Sequence, residues 1–130
     1  MALAQVVDPS RRLVVNVASG TVNAQELMEN QLLLRSNPTF ESSFRSLVDL
    51  RRAVDMDVSP EELRALALTS PFDPGVRRGY VVTSRAQFGV TRLYQAIIDA
   101  DVHIYRIFEN WDEAVAWLEA DANSSGDSSI

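Results

Sequence analysis

The sequence predicts an α/β domain with one mixed sheet of five strands and four helices, in the order β-β-α-β-α-β-α-β-α. Short β-branched runs alternate along the chain with segments whose apolar residues recur every three or four positions. Strands that alternate with helices need crossover connections, which make neighbouring strands parallel. The first two strands are joined by a short turn, so we expect them to form an antiparallel edge.

The first half of the chain contains three predicted strands and one helix. Residues 3–7 and 11–18 read as strands that pair across the Asp8-Pro9-Ser10 turn. Asn23 with Glu26 has the spacing of a capping box and opens a helix, which ends before Asn37-Pro38 because proline disfavours a helical residue before it. The buried side of this helix is predicted to carry Leu27, Met28, Leu32 and Leu34. Residues 44–50 form the third strand.

The second half contains three helices and two strands. Ser59, Pro60 and Glu62 are typical of a helix start, and Leu63, Leu66 and Ala67 mark its buried side. A turn-rich loop at residues 71–75 leads to a strand at residues 80–83. Residues 87–99 show the clearest helical pattern, followed by a strand at residues 102–108. Asn110 and Glu113 repeat the cap spacing, and Trp111, Ala114, Val115 and Leu118 then form an amphipathic last helix.

Domain organisation follows from length and periodicity. Residues 1–120 are predicted to form one domain, since no linker or internal repeat divides them. Residues 121–130 are rich in Ser and Asp and have no apolar periodicity, so we expect a disordered tail.

Composition excludes several classes of function. The chain has 130 residues and a formal net charge of −6, and all 12 of its basic residues are Arg. An acidic chain lacks the basic face that nucleic acid requires. Without Cys and with one His, thiol chemistry, a His-based metal site and a catalytic triad are not expected. No apolar run reaches the length of a membrane span and no signal peptide is predicted, so we expect a cytoplasmic protein.

The candidate site is the edge where the parallel strands end, because ligands of open α/β sheets gather there. Polar residues are expected after the third strand (Asp49, Arg51, Arg52, Asp55 and Asp57) and after the fourth (Ser84 and Arg85). The aspartates suggest one hypothesis, an enzyme that binds a divalent metal ion. The neighbouring arginines favour a simpler ion-pair cluster. No glycine-rich phosphate loop follows a strand, and we expect no catalytic residue, metal or cofactor.

Residues 47–59, an apolar strand ending in Asp49-Leu50 and running to Asp57-Val58-Ser59, resemble the central strand and turn of STAS domains, which have the SpoIIAA-like fold. Residues 108–118 and Ser19-Gly20-Thr21-Val22 are similar to uncharacterised bacterial STAS-like proteins. The resemblance implies a non-enzymatic, protein-binding module, in several cases switched by phosphorylation at the matching turn. Here Val58 and Pro60 depart from that turn. Ser59 is the hydroxyl that fits a phosphorylation site, although its capping role suffices to explain it.

The resemblance also extends to lipid-carrying SEC14-like domains. Phe72, Phe88 and Tyr94 are therefore candidates for an apolar lid over a ligand. Our first expectation is a regulatory module that binds a protein partner through the strand-end edge or a helix face, with a homodimer also expected. The alternative is a carrier or sensor of a small apolar or anionic ligand, for which association with a membrane surface stays open.

Overall fold

The computed structural model describes residues 2–97 and 104–120, without the side chains of residues 90 and 93–97. Over this part of the chain, the strands and helices follow one another in the predicted order. They are β1 (Leu3–Asp8), β2 (Leu13–Asn23), α1 (Ala24–Arg35), β3 (Arg45–Asp57), α2 (Pro60–Leu68), β4 (Arg77–Val81), α3 (Arg85–Ile97), β5 (Ile104–Phe108) and α4 (Trp111–Glu119). The predicted tail at residues 121–130 lies outside the described residues.

The strands form a single sheet in the order β1-β2-β3-β4-β5. β1 runs antiparallel to β2, and the other neighbouring pairs are parallel, so the predicted mixed sheet is confirmed. Because each parallel strand lies beside the preceding one and such crossovers are right-handed, α1, α2 and α3 share one face of the sheet. α4 packs against β3, β4 and β5 and covers the opposite face. No helix in residues 2–97 and 104–120 is both long and apolar enough to cross a membrane.

The face under α4 has its own hydrophobic core. Its buried members are Leu13, Leu47, Val81, Phe108, Ala114 and Leu118. A Cβ built on Gly79 of β4 would stand only 3.2 Å from Cδ1 of Leu118. Glycine therefore allows the helix to approach this strand closely.

Two arginines of the sheet hold the C-terminal end of α4. Arg77 Nη1 donates to the carbonyl oxygens of Trp117 at 2.7 Å and Ala120 at 3.3 Å. Arg45 Nη1 donates to the same Ala120 oxygen at 2.7 Å and to the carbonyl oxygen of Leu118. The last carbonyls of a helix have no partner within the helix and carry partial negative charge, so both cations stabilise this end of α4.

The opposite face, under α1, α2 and α3, carries two further buried clusters. One contains Ala18, Val22, Leu50, Ala53, Tyr80 and Val82, and the other contains Val14, Leu34, Phe44, Phe72 and Val76. Leu34 is the buried residue of α1, whereas Leu32, predicted on the same buried side, is 58% exposed. Because α1 has about 3.6 residues per turn, Leu32 and Leu34 point to nearly opposite sides of the helix, and only one of them can face the sheet.

The predicted caps of α1, α2 and α4 are confirmed, whereas α3 begins at Arg85 rather than at the predicted residue 87. Asn23 and Glu26 form a reciprocal capping box at α1, and Ser59 and Glu62 do the same at α2. At α4, Asn110 Oδ1 accepts from the backbone N–H of Glu113 at 2.9 Å. Each cap joins residues three positions apart, so the local sequence was sufficient to place it.

The prediction that the third strand ends at Leu50 is wrong. β3 continues to Asp57 because β2 continues to Asn23, and the two strands stay paired beyond the ends of β4 and β5. This extension is a two-stranded ribbon with register shifts on either side of Ser19 and Gly20. Its many exposed polar side chains give it the composition of a loop, which accounts for the error.

Other boundaries differ by a few residues. β2 begins at Leu13 rather than at residue 11, because a turn closes from Pro9 to Arg12, whose φ of 52° is left-handed. β4 occupies Arg77–Val81 rather than residues 80–83, since its pairing with β3 begins at Arg78. The predicted start of the last strand, and His103 with it, lies outside the described residues.

Candidate functional site

The predicted edge carries an ion pair between Asp49 and Arg51. Arg51 donates from Nε to Oδ1 and from Nη2 to Oδ2 of Asp49, both at 2.9 Å, and its backbone N–H donates to Oδ1 at 3.0 Å. The Arg51 guanidinium also lies over the ring of Trp111, 5.2 Å from its centroid. The pair therefore sits on the α4 face of the sheet.

The electrostatics of this pair favour its charged form. Burial alone would raise the pKa of Asp49, whose side chain is 8% exposed, but hydrogen bonds from Arg51 outweigh burial and hold the pKa below its ordinary value. The carboxylate in turn raises the pKa of Arg51. Asp49 is thus an ionised, fully engaged group, which suits a structural role better than that of a general acid.

The sheet separates Asp55 and Ser84 from this pair, whereas Arg52 lies close enough for its charge to lower the pKa of Asp49. Asp55 and Ser84 line a small hollow of about 120 Å³ together with Leu50, Ala53, Val54, Met56, Ala86 and Gln87, which we call the strand-end hollow. Arg52, Asp57 and Arg85 are exposed. Within residues 2–97 and 104–120, no group of three or more acidic or His side chains is placed to hold a metal ion.

Both serines of interest begin helices. Ser59 Oγ accepts from the backbone N–H of Glu62 at 3.1 Å, and Glu62 Oε1 accepts from the N–H of Ser59 at 2.8 Å. Ser84 Oγ accepts from the N–H of Gln87 at 3.1 Å, at the start of α3. Both hydroxyls act as helix caps. Phosphorylation of Ser59 stays a prediction.

A second candidate site is a cavity of about 100 Å³ between the sheet and the helices α1, α2 and α3, which we call the helix-side cavity. Its walls are mostly apolar and include Leu3, Val22, Leu27, Leu50, Met56 and Leu66. The space is partly open to solvent, so a small molecule can reach its walls.

One side of the helix-side cavity carries a chain of amide groups. Gln5 Nε2 donates to both the backbone oxygen and Oδ1 of Asn30, each at 3.1 Å, and Asn30 Nδ2 donates to Oδ1 of Asn16 at 3.0 Å. Asn16 and Asn30 line the cavity, and Asn16 is 8% exposed. A buried amide next to apolar walls is a typical specificity element of a small-ligand site.

One of the predicted lid residues lines this cavity, and another does not. Phe72 lines it, is 8% exposed, and packs edge-on against Phe40 with ring centroids 5.4 Å apart. Phe88 is 44% exposed, and the described lining does not include it. The side chain of Tyr94 lies outside the described residues. Phe72 is thus part of the cavity wall, and a lid formed by these residues stays a prediction.

Sequence reasoning missed Asn16 and its partners Gln5 and Asn30. The available signal was a single amide inside the apolar run Leu13-Val14-Val15-Asn16-Val17. A polar residue at a buried position of a central strand needs a hydrogen-bonding reason. Its partners come from β1 and α1, so the sequence alone could not identify them.

Comparisons with known proteins define the fold. No family model and no curated protein matches the chain. The structure is similar to the crystal structure of an uncharacterised protein of the DUF3478 family with a SpoIIAA-like fold, from Shewanella loihica PV-4. The TM-score is 0.65 at 17% sequence identity, over 90% of this chain and 94% of that chain.

This chain has a SpoIIAA-like fold. The sequence-based resemblance to SpoIIAA-like proteins is thereby confirmed at the level of the fold. Function has to be argued from the sites themselves, because one fold hosts many functions.

Proposed function

We propose that this protein is a non-catalytic binding domain that takes a small, mainly apolar ligand into the helix-side cavity. The observation that carries the proposal is the cavity itself, about 100 Å³ with mainly apolar walls. Its polar lining residues are Asn16, Asn30, Gln31, Ser70, Arg78 and Thr91. This corresponds to the alternative function in the sequence analysis, a carrier or sensor of a small ligand. The ion pair of Asp49 and Arg51 offers no comparable space.

A ligand that binds only the folded state stabilises it by mass action, by about 2.7 kcal/mol at one hundred times its dissociation constant. Ligand binding in the helix-side cavity is therefore expected to raise the free energy of unfolding.

Benzene is a suitable first probe, because an engineered apolar cavity of about 150 Å³ binds it. We expect saturable shifts of the methyl resonances of Leu27, Leu50 and Met56, which line the cavity, in ¹H–¹³C spectra. Ala18 also lines it and is 1% exposed, so Ala18→Leu places additional carbons in the space and should weaken benzene binding at least tenfold.

Ala4→Leu is the matched control, since Ala4 is exposed on β1 and lies outside the lining. It should leave the affinity for benzene unchanged. Methyl shifts that do not saturate in the wild type, or an Ala18→Leu variant that folds and binds as well as the wild type, would overturn the proposal.

A second candidate function is protein binding at the strand-end hollow, as first expected from the sequence. Val54 lines this hollow and is 83% exposed, which favours contact with an apolar side chain of a partner. Light scattering and affinity capture with the wild type and Val54→Asp provide the test. Leu68→Asp is the control, because Leu68 on α2 is equally exposed, at 88%, but lies outside the hollow.

We expect the wild type and Leu68→Asp to bind a second copy of the chain or another protein. Val54→Asp should not bind it. A complex that survives Val54→Asp would exclude this hollow as its interface.

A further inference from the structure

We infer that the ligand of the helix-side cavity carries a carbonyl-type oxygen that accepts a hydrogen bond from Nδ2 of Asn16, while its hydrocarbon part lies against the apolar walls. This inference rests on the proposed function and specifies the chemistry of its ligand. A carbonyl oxygen is shared by ketones, esters, amides and carboxylates.

The direction of the amide chain is fixed by a backbone atom. The carbonyl oxygen of Asn30 can only accept, so the group of Gln5 that faces it must be the donor Nε2. The same Nε2 then requires Oδ1 of Asn30 as its second acceptor, which turns Nδ2 of Asn30 towards Asn16. Asn16 must therefore present Oδ1 to Asn30.

This order leaves Nδ2 of Asn16 as the end of the chain. Within the described residues, Asn16 Nδ2 donates no hydrogen bond, although the residue is 8% exposed and lines the cavity. Two further polar side chains of the lining donate within the protein. Gln31 Nε2 donates to the carbonyl oxygen of Leu66 at 2.9 Å, and Thr91 Oγ1 donates to that of Gln87 at 2.8 Å. The donor is therefore available to a molecule in the cavity, and a ligand oxygen at this point gives it an acceptor.

The register of the sheet gives the ligand an orientation. Asn16 lies between Gln5 of β1 and Val48 of β3, so the amides occupy one side of the cavity floor and Val48 begins the apolar side. Leu50 and Met56 continue that apolar side along β3. The oxygen is thus expected beside β2 and the hydrocarbon chain over β3.

A matched pair of probes separates the oxygen from the hydrocarbon. 2-Hexanone carries a carbonyl group where 2-methylhexane carries a CH–CH₃ group of similar shape, and hexanoic acid supplies a carboxylate with a chain of similar length. Affinities for all three are measured by NMR titration with the wild type and with Asn16→Leu, which removes the amide but keeps the branching and the number of heavy side-chain atoms. If Asn16→Leu does not fold, Asn16→Ala carries the same comparison.

We expect Asn16→Leu to weaken 2-hexanone about tenfold relative to its effect on 2-methylhexane, which is the size of one lost hydrogen bond to a buried group. In the wild type, the side-chain N–H signals of Asn16 should shift with 2-hexanone and not with 2-methylhexane. The side-chain N–H signals of Asn110, at the start of α4 on the other face, serve as the control. Hexanoic acid shows whether a carboxylate is accepted as well as a neutral carbonyl.

The outcomes separate this inference from the proposed function. If all probes bind and Asn16→Leu changes their affinities equally, the cavity is a ligand site without a carbonyl requirement, and the inference is overturned. If none of the probes nor benzene binds, the proposed function fails together with it.

Discussion

Replacing Arg51 by Met tests whether the charged pair at the strand ends is structural. An exposed ion pair contributes about 0–1 kcal/mol, whereas removing one partner of a buried pair costs about 3–5 kcal/mol. Here the Asp49 side chain is 8% exposed and that of Arg51 is 40% exposed. The pair lies between the two limits, and we expect Arg51→Met to reduce the free energy of unfolding by about 2 kcal/mol.

The reverse substitution, Asp49→Asn, should cost less, about 1 kcal/mol, because it leaves Arg51 partly in water and over Trp111 rather than leaving a carboxylate buried without its cation. Arg52→Met is the control. Arg52 is exposed on the same ribbon, and its replacement should change stability by no more than about 0.5 kcal/mol.

The pH dependence gives an independent check. Because the pKa of Asp49 is lowered in the folded state, its contribution is present above the unfolded value of 3.8 and is lost as the pH falls through the folded pKa. Urea unfolding followed by tryptophan fluorescence should therefore show a gap between wild type and Arg51→Met at pH 7 that narrows below pH 3.8. Equal costs for Arg51→Met and Arg52→Met, or a gap independent of pH, would refute the reasoning.

Three further predictions concern stability, each measured by urea unfolding against the wild type. Ser59→Ala should cost about 1 kcal/mol through loss of the α2 cap, and a stability equal to the wild type would contradict the capping role. Arg77→Met should cost about 2 kcal/mol, because it removes a 9% exposed cation from the last carbonyls of α4, and an effect below about 0.5 kcal/mol would contradict it. Gly79→Ala should cost about 1–3 kcal/mol by pressing on Leu118, with a smaller cost in a Leu118→Ala background as the check.

The parts of the fold that the sequence predicted are those determined over short distances. The cap of α2 joins Ser59 to a residue three positions on, and the parallel pairing follows from the alternation of strands and helices. The end of β3 depends instead on how far β2 runs beside it, which no local pattern of residues 51–57 contains. A strand that pairs along only one edge has many exposed side chains and therefore a polar composition. That composition led to the prediction of a loop at residues 51–57.

The candidate sites divide in the same way. Asp49 and Arg51 are two positions apart, and an ion pair between them was one of the expected arrangements. The amide chain of the cavity joins Asn16 to Asn30 and Asn30 to Gln5, across sequence separations of 14 and 25 residues. Such contacts form only once α1 has folded onto the sheet.

The sheet places the Asp49–Arg51 pair on one face and the helix-side cavity on the other, and the two sites differ in what they say about function. Asp49 and Arg51 attract attention by their charge, yet each satisfies the other, so neither needs a ligand. Asn16 is neutral and inconspicuous in the sequence, but its position at the end of a directed chain of amides leaves its Nδ2 donor without an acceptor beside the helix-side cavity. Recognition in this domain is therefore to be sought first on the helix side of the sheet, at Asn16.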